Sequence, residues 1–417
     1  MYAGAAPMGG GPGHSCPGRN AMKQSKGKKQ SVAKPLKGRR RVWEIGAALL
    51  LLAVLVVTAA ALRGNEAERE VRAARKRLFA IARVTDVVSD HSAEDTWTEG
   101  RRLGEQYIEV ELLTGPFKGM VLETSNYLNA YTNVDCRLGT RIVVRLDYDD
   151  YGEPYIISVP NYDRGLVLAG LLAVFGALLV LIGGKKGAMA LLGLAYTLAC
   201  LWYLLVPLIL RGMDPILVSI GVVALTTAAS LLLLTGFSRK TLCATLGCVG
   251  GVAAAGIFAA LAGTISPLNG FNLSEAEELV LRAGDSELHI SGLLVSGILI
   301  ASLGAVMDVA MSIASSCNEL RELNPNLTRA ELFRSGMNIG RDAMGTMANT
   351  LILAFAGASL NMLILFRVYD YPLIQIANTD AMAIEVIRGV AGSIGIVLTV
   401  PLVALLSSQL MGPKPKT

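Results

Sequence analysis

Between Gly165 and Leu410 the apolar residues come in runs about as long as a bilayer core is thick, and such runs have few ways to fold. In hydrocarbon every backbone amide must be satisfied within its own segment, so each run is expected to be a membrane-crossing helix. The runs fall near Gly165–Ile182, Ala188–Leu210, Ile216–Leu234, Thr241–Ala262, Ile290–Ser316, Met337–Phe366 and Ile384–Leu410. Another, Val42–Leu62, precedes them, with Trp43 at its interface end. It is longer than a signal-peptide core, which favours an uncleaved signal anchor over a leader cleaved near Ala59-Ala60-Ala61. The expected fold is an α-helical polytopic membrane protein with about eight transmembrane helices. A composition of 53% apolar and 17% charged residues excludes the ordinary soluble-enzyme class.

The stretches between the runs divide the chain. Residues 1–41 are Gly/Pro-rich and then basic with no acid, which predicts a disordered cytoplasmic tail. Residues 63–77 form a charged connector behind the 42–62 anchor. From 78 to 160 the pattern changes to period-two alternation, with candidate strands at Leu78–Val88, Gln106–Leu112, Met120–Thr124, Arg141–Leu146 and Tyr155–Val159. Gly115, Gly119, Gly139 and Gly152 mark the turns. That spacing predicts a small β-barrel-like, OB-like domain. Its acids, Glu109, Glu111, Glu123, Asp147, Asp149 and Asp150, offset its bases and argue against nucleic acid as a partner. Residues 161–411 make a seven-helix membrane domain with a polar core at 290–366, and 412–417 a second cytoplasmic tail.

Orientation follows from the Lys/Arg bias of the short loops. Lys185-Lys186, Arg239-Lys240, the 321–334 connection and Lys414/Lys416 fall on the side of the basic N-terminus, and the acidic loops on the other. Both termini are therefore expected in the cytoplasm and the β domain outside the plasma membrane. The cysteines do not form a disulfide framework, and Cys243 and Cys248 lack the partners of a metal site, so no metal or cofactor is expected. Thr241–Ala262 carries Gly247-x-x-x-Gly251, a sign of close helix packing.

The chemistry concentrates in 290–366. Asp308 lies well inside one run, where a charge costs about 3 kcal/mol without a partner or water. At the helical period Asp308, Ser312, Ser315 and Glu319 share one face; Asn338, Arg341, Asp342, Thr346 and Asn349 share another. Taking the inner surface near Cys317 and Met337, Asp308 and Thr346 both sit about 13 Å deep. Antiparallel neighbours could then turn the stripes together, with Asp308 near Thr346 and Asp342 near Ser312. Between the runs, Thr328-Arg-Ala-Glu331 reads as a capping box with Leu327 and Leu332 as its staple. It predicts a short helix Arg329–Ser335 along the inner face, where Arg329, Glu331 and Arg334 would meet water or a protein partner. Two readings of the polar core stay open: a structural network between helices, and an ion or proton pathway. An intramembrane aspartyl protease is disfavoured, because Asp342 lacks the Gly-x-Gly-Asp run and Arg341 beside it would hold it ionised. No nucleophile, phosphate-loop or zincin motif is present, so no enzyme activity is expected.

Two motifs, Leu303-Gly-Ala-Val-Met-Asp308-Val-Ala-Met-Ser312-Ile-Ala-Ser315-Ser316 and Ser335-Gly336-Met-Asn338-Ile-Gly340-Arg341-Asp342-Ala-Met-Gly345-Thr346-Met-Ala-Asn349-Thr350, resemble the YibE/F family of bacterial multipass membrane proteins. Asn161-Tyr-Asp163-Arg164 and the Gly115–Gly119 turn fit as well. The resemblance implies a signal anchor, an external domain and a membrane bundle in a bacterial plasma membrane, with a permease-like role. It moves weight toward a functional polar core: Asp308 as ion or proton carrier, Arg341 and Asp342 as a gating pair, Thr346 and Asn349 as ligand groups for a small solute or ion. The competing expectation is a non-enzymatic accessory or assembly factor, docking a membrane or cytoplasmic protein partner through the β domain and the inner helix.

Overall fold

The computed structural model describes residues 77–149, 152–268, 279 and 290–412. The expected basic tail, signal anchor, charged connector short of residue 77 and C-terminal tail beyond residue 412 lie outside the described residues, as does most of the 269–289 loop.

Alternation in 78–160 resolves into one curled antiparallel sheet. Its strands are β1 (Arg77–Asp90), β2 (Ala93–Glu94), β3 (Arg102–Leu112), β4 (Val121–Leu128), β5 (Arg141–Tyr148) and β6 (Pro154–Tyr162). All five expected strands are present, most of them extended by a few residues. β1 pairs with β3 on one side and β5 on the other; β4 continues from β3, and β6 from β5. β4 and β6 also pack against each other, so the sheet curls round its own core. Inward residues at period two, such as Ile142, Val144 and Leu146 of β5, fill that core with Ile108, Val110 and Leu112 of β3. Gly119 and Gly139 hold φ of 88° and 82°, which a residue with a Cβ rarely adopts, and so they stand at the turns.

One end of the sheet core is polar. Gln106 and Asn126 occupy inward positions and are 1% and 2% exposed. Asn126 donates to the Gln106 side-chain oxygen (3.1 Å) and the Val134 carbonyl (2.7 Å). The Cys136 amide donates to Gln106 (2.9 Å). Arg102 bridges Asp90 and Asp135, each at 2.9 Å. Hydrogen bonds from the Ser92 hydroxyl and amide, with Gln106 and Arg102 behind them, hold the Asp90 carboxyl well below the usual carboxylate range. These groups satisfy one another, so the network closes that end of the sheet core rather than opening a ligand site.

The helical part contains α1 (Gly165–Cys200), continued by a π-helical turn (Leu201–Leu205) into α2 (Val206–Leu210). There follow α3 (Pro215–Thr235), α4 (Arg239–Ile265), α5 (Leu293–Leu323), α6 (Arg329–Ala358), α7 (Leu360–Val368), α8 (Leu373–Ala377) and α9 (Asp380–Met411). Five helices, counting Gly165–Leu210 as one, are long and apolar enough to cross a membrane, and six if α6 and α7 together form one bent span. Inside α1 the backbone leaves the helix at Gly184 (φ 55°, ψ −132°). Across this break Gly176 lies against Leu191, and Gly187 against the carbonyl of Leu179. In an unbroken helix those pairs would be about 22 and 12 Å apart, so the chain doubles back at Gly184. The junction with the sheet is pinned by Arg141–Asp163 (2.9 Å), while Asp163 accepts the Gly165 amide (3.1 Å).

Two expectations need correction. Arg329–Ser335 is not a separate elbow helix but the first turns of α6, because Gly336 stays helical and is clamped between Cys317 and Ala404. The Met337–Phe366 run is not straight either: α6 and α7 meet at Ser359 with a 55° bend.

Cys136 is 1% exposed, and burial, with the Asp135 charge added, pushes its thiol up to about 12. It stays neutral throughout the physiological range and serves as a core side chain, not a surface label. In the folded protein at pH 8, Cys136 should therefore resist a thiol reagent until denaturant is added. A cysteine placed at the 98% exposed Tyr131 should react at once. Because a raised thiol pKa favours the fold only while the group is protonated, that contribution should be complete below about pH 8.5 and fade as pH rises toward 12. A denaturant series followed by mass spectrometry of the labelled peptide checks both.

Candidate functional site

The predicted polar core is carried by α5 and α6. At the turn between them the capping box is present: the Thr328 amide donates to Glu331 (2.8 Å) and the Glu331 amide to the Thr328 hydroxyl (3.2 Å). Leu332 is fully buried beneath it. The Arg321 guanidinium donates to the Pro325 and Leu327 carbonyls and closes the turn from α5. Arg329, Glu331 and Arg334 are exposed, as expected, although the Glu331 carboxylate is already taken up by the cap.

The depth alignment of the two helices is as expected. Gly336 of α6 lies against Cys317 of α5, and Gly340 against Ile313. Continuing that antiparallel register puts Asp308 level with Gly345 and Thr346. The rotation is not as expected. Ile313 and Cys317 lie about 140° and 180° around α5 from Asp308, so α6 attaches to the side of α5 that faces away from the carboxylate. Leu332, Gly336 and Gly340 form the buried stripe of α6, while Asn338, Arg341, Asp342, Thr346 and Asn349 are exposed on its other side. Asp308 does not meet Thr346, nor Asp342 Ser312. The reason is steric: a Cβ at Gly340 would overlap Val400 of α9, so only a glycine face can enter that gap.

Asp308 is the middle residue of α5, about 22 Å from either end. It lies on an exposed lane with Gly297, Ala301, Gly304 and Ser312, and a Cβ added at Gly297 or Gly304 would meet nothing within 4 Å. Among the described residues Asp308, Asn338, Arg341, Asp342 and Asn349 make no hydrogen bond or ion pair. Thr346 donates to the Ala343 carbonyl of its own helix (2.9 Å). Polar groups that do join helices lie elsewhere, two of them at residues the sequence reading did not single out. Ser219 of α3 donates to Ser296 of α5 (2.8 Å), which donates to the Pro215 carbonyl (2.7 Å). Their only signal was a small hydroxyl in an apolar run. An open apolar cleft of about 340 Å³, lined by Leu204, Leu208, Leu217 and Val222 among others, contains none of the candidate residues. Among the described residues no group of His, Cys, Asp or Glu is placed to hold a metal ion.

The family model described as YibE/F-like protein matches residues 171–413, which include both polar motifs. The chain belongs to the YibE/F-like family. No curated protein and no solved structure matches it. The match begins inside α1, so what carries membership is the helical part and not the sheet.

The glycine face of α6 makes a clear prediction for the family's second motif. Gly340→Ala should lower the thermal midpoint in detergent, by overpacking worth about 1–3 kcal/mol. Gly221→Ala, where the added methyl meets nothing within 4 Å, should leave it unchanged or slightly raised. Parallel melting curves of the two purified variants make the comparison.

Proposed function

We propose that this protein is a permease of the bacterial plasma membrane, with Asp308 as its ion- or proton-binding carboxylate. The observation that supports this most is the exposed lane on α5, small side chains along its length and a carboxylate at its midpoint with no hydrogen-bond or ion-pair partner among the described residues. A carboxylate used to hold helices together would be bonded to one of them. Asp308 is free to bind a cation or a proton, and the glycines beside it leave room for a hydrated ion. Thr346 and Asn349 sit at a similar depth on α6 and are ligand groups only if the solute reaches that separate face. Arg341 and Asp342, adjacent and without an ion-pair partner among the described residues, are polar enough to gate.

In this reading the chain crosses the membrane about eight times. The fold-back at Gly184 supports it by dividing Gly165–Leu210 into two arms. The sheet domain is OB-like, supported by its strand order β4-β3-β1-β5-β6 and by the approach of β4 to β6. It lies outside the cell and both termini inside, supported by the loop charges.

One observation favours the accessory-factor reading. Trp97 and Tyr131 are 93% and 98% exposed on two loops of the sheet joined by the Arg102–Asn133 bonds, a pair of large apolar side chains open to a partner.

Purified protein in vesicles with an entrapped pH dye, exposed in turn to sodium, potassium and magnesium gradients, tests the permease. Wild-type protein should move protons or cation-coupled protons faster than empty vesicles, and Asp308→Asn should abolish the movement with an unchanged melting midpoint. A variant that transports normally, or one that unfolds, would count against Asp308 as carrier.

A further inference from the structure

The outward face of α6 poses a separate problem. At about 100° per residue, Asn338, Gly345, Thr346 and Asn349 all point within about 60° of Asp342, with Arg341 at the edge of the same face. All six are exposed in the single chain, and the two charges have no ion-pair partner among the described residues. Asp342 lies about 20 Å along α6 from its capped start and, with the inner surface near Met337, about 7 Å inside it, on the helix that with α7 forms the sixth candidate span. An Arg and an Asp without partners cost free energy on a lipid-facing surface inside the hydrocarbon. Something other than lipid covers this face.

We propose that the cover is a second copy of this chain, docked α6 against α6 through two reciprocal Arg341–Asp342 ion pairs. The charge pattern selects this occupant. Copies in one membrane share an orientation, so a two-fold axis between them runs along the membrane normal and sets each residue level with itself. Arg341 and Asp342 are adjacent, opposite in charge and about 1.5 Å apart in depth, so each copy's Arg341 stands beside the partner copy's Asp342. A face with one sign of charge would repel its own copy; this one is self-complementary. Asn338 and Asn349 each carry a donor and an acceptor and can pair with their own equivalents. Gly345, with nothing within 4 Å of the position its Cβ would take, leaves room for the crossing point. Gly336 and Gly340 serve the packing inside the chain and Gly345 the packing between chains. The Asp308 lane is on the far side of α5 from α6, so this contact does not depend on the permease reading.

The test is disulfide cross-linking in native membranes of the full chain with Cys16→Ser, the cysteines of the described helices and sheet being buried. Gly345→Cys and Asn349→Cys, each introduced singly, should give a product of twice the chain mass on mild oxidation. Leu171→Cys, on an exposed apolar face of α1, should not. Adding Arg341→Asp should cut the Asn349→Cys product at least tenfold, and the swap Arg341→Asp with Asp342→Arg should restore it. The swap keeps the reciprocal pairing, so it also shows that any loss is not a folding defect. Cross-linking no stronger than from Leu171→Cys, a product of any other mass, no loss with Arg341→Asp, or a swap that fails to restore the product would each overturn the proposal. Asp308→Asn should cross-link like the parent, so failure of the permease reading leaves this result standing.

Discussion

The helical part depends on close backbone approach to one helix, α9, which packs against α4, α5 and α6. A Cβ at Gly247 or Gly251 of α4 would overlap Val403 or Thr399, and one at Gly340 of α6 would overlap Val400. α9 answers with its own glycines, Gly392 against Leu351 and Ser302, and Gly395 against Ala255 and Val306. Lipid tails are as apolar as leucine, so burying leucine gives little association in a membrane. Association comes from van der Waals contact, which small residues make densest by letting backbones approach. The bundle is therefore assembled on its glycine faces.

That constraint decides where the polar residues go. α6 carries a glycine stripe and a polar stripe on roughly opposite sides, and a helix can turn only one of them toward α9. Glycine at 336 and 340 fits where any side chain would collide, so the glycine stripe goes in and Arg341, Asp342 and Asn349 go out. α5 makes the same choice: Leu299, Val306, Ile313 and Cys317 go in, and Asp308 and Ser312 go out. It is thus the glycines and apolar residues of the family's motifs, and not their polar residues, that pack the described helices together.

Features set by local chemistry were legible in the sequence. Turn glycines, alternating strands and the Thr328–Glu331 box each fix a few residues by contacts within a few positions. The antiparallel register of α5 and α6 was legible too, since a short loop and a fixed rise determine it. Rotation about the helix axis was not. It depends on which of two plausible faces finds a complementary neighbour, and the decisive neighbours, Val400 and Ala404, lie sixty or more positions away. Treating polar residues as the glue between helices picked the wrong face. The break at Gly184 was legible, because Gly183-Gly184-Lys185-Lys186 interrupts the apolar pattern, whereas the bend at Ser359 was not, since an uninterrupted apolar run does not reveal whether its helix bends. Gln106 and Asn126 were hidden because alternation marks a position as inward without saying that a polar pair will satisfy itself there.

A polar group that contributes nothing to packing inside the chain still costs free energy in hydrocarbon, and a fold free to lose it would be more stable without it. Asp308 at the midpoint of α5 and the Arg341–Asp342 pair on α6 are both in that position. The two cases differ in charge balance. Arg341 and Asp342 together are neutral, and opposite charges side by side on one face can be satisfied by a copy of themselves. Asp308 has no basic residue on its lane among the described residues, and a lone carboxylate there suits a cation or a proton. One outward face suits assembly and the other suits a mobile positive charge, and the glycine-packed core leaves both free for those uses.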